Sequence, residues 1–127
     1  MLKTLQFFFY YLPDNLTVKE KLNCESIKVI GDLDKEIVTV SVVTGAGSDY
    51  FLKASKKSDV LITGDIKYHE AHYANQLGLC VIDAGHFETE NIYMNRLKEI
   101  LDVEFEKKSY DIKVDLSKIN INPFNIL

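Results

Sequence analysis

Three stretches decide the fold: Ile37-Val38-Thr39-Val40-Ser41-Val42-Val43, Val60-Leu61-Ile62-Thr63-Gly64-Asp65 and Leu79-Cys80-Val81-Ile82-Asp83-Ala84-Gly85. Each is a short, nearly continuous apolar run rich in β-branched residues, and each breaks on glycine or a small polar residue. A helical stretch follows each one, over about residues 49–57, 67–77 and 87–101. Strands that are apolar on both faces belong to sheets covered on both sides. Three consecutive βα units therefore predict an α/β fold, with a mixed, mostly parallel sheet, helices packed on it and right-handed crossovers.

Upstream of these units, Asn15 starts a short helix over Leu16 to Leu22, and Ile27 to Ile30 forms a short strand closed by Gly31-Asp32. Before them lies Phe7-Phe8-Phe9-Tyr10-Tyr11-Leu12. Six bulky residues in a row suit a buried strand, an interface segment, or an end left where a longer chain was cut. Residues 1–15 are accordingly set apart as a truncation or interface segment. Downstream, Tyr110-Asp111-Ile112-Lys113-Val114-Asp115 alternates at period two and predicts a C-terminal edge strand with one wet face. Pro123 ends regular structure. No low-complexity linker divides the chain, so residues 1–127 read as a single α/β domain.

Composition agrees with this reading. At 127 residues, with 46% hydrophobic and 27% charged side chains, the chain is neither disordered nor fibrous and is too short for two enzyme domains. Fifteen basic against nineteen acidic residues give a net charge of −4. Nucleic acid and anionic membrane surfaces are therefore not expected partners. The aromatic run is far shorter than the roughly 18 residues a membrane span needs, and it lacks a signal peptide's basic flank and small-residue cleavage site. Cys24 and Cys80 form no metal-binding pair or disulfide framework. Buried free thiols in a reducing cytoplasm are the expectation.

In an open parallel sheet, ligands gather beyond the carboxyl ends of the strands, which points to three loops. Thr44-Gly45-Ala46-Gly47-Ser48-Asp49 joins a strand to a helix. Gly45, Gly47 and Ser48 either cradle a phosphate or simply make a tight turn with Ser48 as helix cap, since no full dinucleotide fingerprint or P-loop lysine is present. Gly64-Asp65-Ile66-Lys67-Tyr68-His69-Glu70-Ala71-His72 places Asp65 just past a buried strand, where it either caps the next helix or serves a site. His69 lies near the strand ends, whereas His72 reads as surface. Asp83-Ala84-Gly85-His86-Phe87-Glu88-Thr89-Glu90 carries the sharpest signal. His86 and Glu90 stand i, i+4, so on a helix their imidazole and carboxylate share a face and reach one cation. Asp83 is placed to orient the imidazole through its second nitrogen. Helix-start acids account for Glu88 and Glu90 but not for a histidine at a strand end. Nitrogen and oxygen donors suit zinc, iron, manganese or nickel, and two ligands leave the site to be completed from another segment or chain.

The two motifs, Gly64-Asp65-Ile66-Lys67-Tyr68-His69 and Asp83-Ala84-Gly85-His86-Phe87-Glu88-Thr89-Glu90, in this order and at this separation, resemble the carboxyl-terminal half of the NGG-interacting-factor-three-like family, the dinuclear-metal-centre proteins also called GTP cyclohydrolase I type 2 homologues. The similarity runs from about Leu16 to the end and includes Val38 to Ser48 and Ser117-Lys118-Ile119-Asn120-Ile121-Asn122-Pro123-Phe124. The resemblance implies that His86 and Glu90, with Thr89 matching, come from a Gly-His-x-x-Thr-Glu metal motif. It also implies that His69 faces the cavity as an outer-sphere or substrate-facing residue. The family's other half carries adjacent histidines and an acidic ligand, and this chain has no adjacent histidines.

The implied activity is metal-dependent, cyclohydrolase-like hydrolysis of a purine nucleotide or another small molecule, weak or absent in this chain alone. The implied partners are further copies in a ring-shaped hexamer, or a complementary amino-terminal half. A non-catalytic metal-binding or regulatory module and a structural remnant are the alternatives.

Overall fold

The computed structural model describes residues 3–6 and 15–125. Two compact units divide the chain, Met1–Glu90 and Asn91–Leu127. The expectations placed on the aromatic run at residues 7–12 lie outside the described residues.

The first unit holds five strands: β1 (Lys3–Gln6), β2 (Lys28–Ile30), β3 (Thr39–Ala46), β4 (Val60–Gly64) and β5 (Cys80–Asp83). Their order across the sheet is β1-β3-β4-β5-β2. The three central strands run parallel, with Val60 paired to Val40 on one side and to Cys80 on the other. The edge strands β1 and β2 run antiparallel to their neighbours. The architecture is the mixed, mostly parallel α/β sheet that the apolar runs predict.

Alternation along the strands sorts the core onto two faces. Val60, Cys80 and Ile82 pack with Cys24 and Ile37 on one face, where Val18 and Leu22 of α1 (Asn15–Leu22) cover them. Leu61, Val81 and Val43 pack on the other face against Phe51 and Ala54 of α2 (Phe51–Ala54) and Ala74 of α3 (Tyr68–Gln76). Burial on both faces is the physical reason the strands read as unbroken apolar runs.

Helix ends follow from local hydrogen bonding. Beyond α1, Cys24 N–H donates to the Lys19 carbonyl and Asn23 N–H to that of Glu20, with Asn23 at φ 54°. Beyond α3, Leu79 N–H reaches the Ala74 carbonyl and Gly78 N–H that of Asn75. Both are left-handed caps of the Schellman type, which satisfy the last carbonyls of a helix. The expected helix over 49–57 is shorter: a 3-10 turn at Ser48–Tyr50 leads into α2, which ends at Ala54.

The last helix, α4, runs from His86 to Lys107, beginning in the first unit and continuing in the second. It passes the expected end at Leu101 because Asp102 to Lys107 contains no helix breaker. Within the second unit, Tyr110 N–H donates to the Phe105 carbonyl and Ser109 N–H to that of Glu106, closing the helix with a third cap of the same kind. The Tyr110 ring packs on Phe105 at 6.1 Å between centroids. Residues 110–115 form no strand, which corrects the expected C-terminal edge strand. Among the described residues, the sheet edges are β1 and β2 instead. Period-two alternation shows only that a segment suits a strand, and among the described residues this one pairs with no strand.

Candidate metal half-site

Three of the loops beyond the parallel strands converge in the first unit. In β3 the pairing with β4 shifts register between Val42 and Ala46. This irregularity carries Gly45 at φ 64°, a left-handed conformation natural to glycine. After β4, Asp65 adopts φ 58°, unusual for a residue with a side chain. After β5, Ala84-Gly85 leads directly into His86, the first residue of α4. Gly64 lets the two loops meet, since a Cβ there would lie 2.6 Å from the backbone of Gly85 and His86.

The parallel register brings these groups together. Thr63 pairs with Asp83, so the residues that follow, Asp65 and Gly85-His86, emerge side by side. His86 Nδ1 lies 2.6 Å from Asp65 Oδ2, and His86 Nε2 lies 3.3 Å from Glu90 Oε2. All three side chains are about half exposed. The Asp65 hydrogen bond, opposed by slight burial and helped by Glu90, raises the His86 pKa above its ordinary value. An imidazole whose Nδ1–H donates to a carboxylate presents Nε2 as the metal-binding atom.

The expected orienting role of Asp83 is corrected: Asp65 performs it. Asp83 is buried and points elsewhere, with Oδ2 2.7 Å from Lys28 Nζ. It accepts the Ile66 N–H on Oδ2 and the Gly85 N–H on Oδ1, both at 3.3 Å. It thus ties together the two loops that carry Asp65 and His86. Nor does Asp65 cap α3. Lys67 holds that position, and its N–H donates to Glu70 at 2.8 Å.

Thr89, one residue before Glu90, is buried and joins two loops. Its hydroxyl oxygen accepts the Gly45 N–H at 2.9 Å, and its proton is directed at the Gly85 carbonyl at 2.8 Å. Thr63, fully buried, donates to the Gly45 carbonyl at 2.9 Å. In the glycine loop, the Gly45 amide is therefore spent inside the fold. The Ser48 hydroxyl donates to Glu70 at 2.9 Å and makes no helix cap. Gly47 sits tightly against Thr63. Sequence reasoning overlooked Thr63 and Lys28, and only the strand register could have brought them to attention.

His69 and His72 both contact the ring of Tyr68 edge-on, at 5.5 and 4.7 Å between centroids. Among the described residues, no group of three or more His, Cys, Asp or Glu side chains is arranged to hold a metal ion. The geometry explains this. Asp65 occupies the far nitrogen of His86, which leaves His86 Nε2 and Glu90 as the available donors. Two donors sharing one cation at about 2.0–2.2 Å stand about 3.0–3.5 Å apart, and the separation here is 3.3 Å. The pair thus fits one edge of a coordination shell.

The first unit is a mixed α/β sheet with an imidazole–carboxylate pair at the carboxyl ends of its parallel strands. Residues 15–123 match the family described as Duf34/NIF3 (NGG1p interacting factor 3), and the chain belongs to that family. It is 36% identical over 108 residues to a Clostridium acetobutylicum protein named GTP cyclohydrolase 1 type 2 homolog, covering 84% of this chain and 40% of that one. A Bacillus subtilis protein of the same name is 35% identical, with 88% of this chain and 30% of the relative covered. The crystal structure of a Bacillus cereus protein related to NIF3 superposes with a TM-score of 0.87 at 30% identity, over 99% of this chain and 35% of that one. A Staphylococcus aureus crystal structure gives 0.92 at 28% identity, over all of this chain and 42% of that one. The chain therefore spans well under half the length of these relatives.

Proposed function

We propose that this chain supplies one half of a divalent-metal centre in a metal-dependent hydrolase-like protein of the GTP cyclohydrolase 1 type 2 kind. The observation that carries the reading is the His86–Glu90 pair, with donor atoms at the spacing of a shared cation and the imidazole fixed from behind by Asp65. His86 offers Nε2 as a neutral donor, and Glu90 offers a carboxylate that offsets the cation's charge. Asp65 accepts a hydrogen bond from the Nδ1–H and thereby holds the ring. A divalent cation at this edge supplies Lewis acidity toward water and toward an electrophilic carbon. His69, the second residue of α3, is the group we assign to proton exchange with a bound substrate.

The remaining ligands come from another segment, a complementary half or a second copy in a homo-oligomer. A purine nucleotide or a related small molecule is the substrate class. Two buried free thiols suit a cytoplasmic setting. No described helix is long and apolar enough to cross a membrane.

Elemental analysis of protein purified without chelator tests the reading, with variants His86→Ala, Glu90→Ala and His72→Ala. The first two lower bound metal sharply and the third does not. Equal metal in all four proteins overturns it. One observation favours a second reading, a metal-binding or regulatory module without chemistry: only two donors face the cation position among the described residues. Stoichiometric metal with no nucleotide hydrolysis selects that reading.

A further inference from the structure

We infer that Gly45 and the two buried threonines gripping it, Thr63 and Thr89, are positioning residues that keep the donor face of the His86–Glu90 pair open. This inference rests on the proposed cation reading of that pair.

Three observations support it. First, the Gly45 peptide is held from both sides. Thr89 takes its N–H and Thr63 gives to its carbonyl, both at 2.9 Å and both from buried side chains. A loop fixed by two buried hydrogen bonds cannot drift without leaving polar groups unsatisfied.

Second, the grip presses Gly45 directly against the donor atoms. A Cβ built there would stand 2.7 Å from Glu90 Oε1 and 3.0 Å from His86 Nε2. Nε2 is one of the two proposed donors, and Oε1 is the second oxygen of the Glu90 carboxylate whose Oε2 is the other, so a methyl would take room beside the donor pair.

Third, Gly64 differs in kind from Gly45. A Cβ on Gly64 would strike backbone, so that glycine serves chain packing. At Gly45 the atoms met are the far ends of two side chains, which can swing aside without disturbing the core. A side chain at position 45 therefore disturbs ligand geometry as well as the left-handed backbone.

Thr89 has a second task. Its hydroxyl oxygen lies 2.8 Å from the Gly85 carbonyl oxygen and 3.0 Å from that of His86, either of which can accept its proton. One hydroxyl thus links the β3 bulge to the first turn of α4, which begins with His86 and carries Glu90. A valine of the same shape keeps the packing and removes both bonds, whereas serine keeps both bonds.

Zinc titration by calorimetry, with thermal midpoints measured in parallel, tests this on wild type, Gly45→Ala, Thr89→Val, Thr89→Ser and His86→Ala. The expected result is at least about a tenfold loss of zinc affinity in Gly45→Ala and Thr89→Val, the lower end of outer-sphere effects on metal sites. Thr89→Ser restores wild-type affinity, and His86→Ala abolishes the site. Should Gly45→Ala fail to fold, the contrast between Thr89→Val and Thr89→Ser decides. Wild-type affinity in Gly45→Ala and Thr89→Val, with binding lost in His86→Ala, overturns the positioning role and leaves the cation reading standing. Equal zinc binding by wild type and His86→Ala overturns both.

Discussion

Asp65 and His86 lie 21 residues apart in sequence, on loops from two different strands, yet their side chains meet at 2.6 Å. The contact turns Nδ1 toward Asp65 and leaves Nε2 facing Glu90. Asp65→Asn removes the charge while keeping a residue type that tolerates the left-handed backbone. It is expected to weaken zinc binding about 10- to 100-fold with little change in thermal midpoint. Calorimetry beside a melting curve checks this, and unchanged affinity would show that Asp65 is not the group setting the ring.

Asp83 holds the scaffold beneath. It is buried, paired with Lys28 and hydrogen-bonded to the amides of Ile66 and Gly85. Asp83→Ala leaves those amides without their acceptor and should cost about 2–3 kcal/mol in urea unfolding. Lys28→Met should cost less than about 1 kcal/mol, because the ammonium end is largely in water.

Stability should also fall in acid through Asp59. Partial burial opposes its charge, but bonds from the Thr39 hydroxyl and the Thr39 and Val38 N–H groups outweigh that, with help from Lys35, and hold the carboxyl below its usual range. A folded value below the unfolded one, about 3.9, means the stabilisation is complete above that pH. It is lost as the pH falls through the lowered folded value. Asp59→Asn should therefore be less stable than wild type at pH 7, with the gap closing toward pH 3 in denaturant titrations.

The two thiols should report the core. Cys24 and Cys80 are buried, and burial, with the nearby Glu88 charge outweighing Lys19, raises the Cys24 pKa. Alkylation at pH 8 should be slow in the native protein and complete within minutes in urea. Rapid native labelling of Cys24 would contradict its place between α1 and the sheet.

The central strands were legible because burial on both faces leaves an unmistakable mark, an apolar run ended by Gly or Asp. The pairing of His86 with Glu90 was legible because helical spacing is local. Asp65, not Asp83, stands beside the imidazole; the sequence does not separate the two, because either acid reads as a strand-end carboxylate. Only the register of β4 on β5 decides which one stands beside the ring. For Gly45 the sequence leaves a phosphate cradle and a tight turn open, because glycine before a helix signals close approach without saying to what. The segment from Tyr110 to Asp115 has the alternation of a strand and no partner among the described strands to complete it.

The bulge in β3, the turn after β4 and the start of α4 each deliver one piece of the same small assembly. Each piece lies in or follows one of the three central strands, and none sits on an edge strand. Occupancy by a cation should accordingly slow hydrogen–deuterium exchange across all three central strands together. The chemistry and the cooperative unfolding of this protein then become a single measurable quantity.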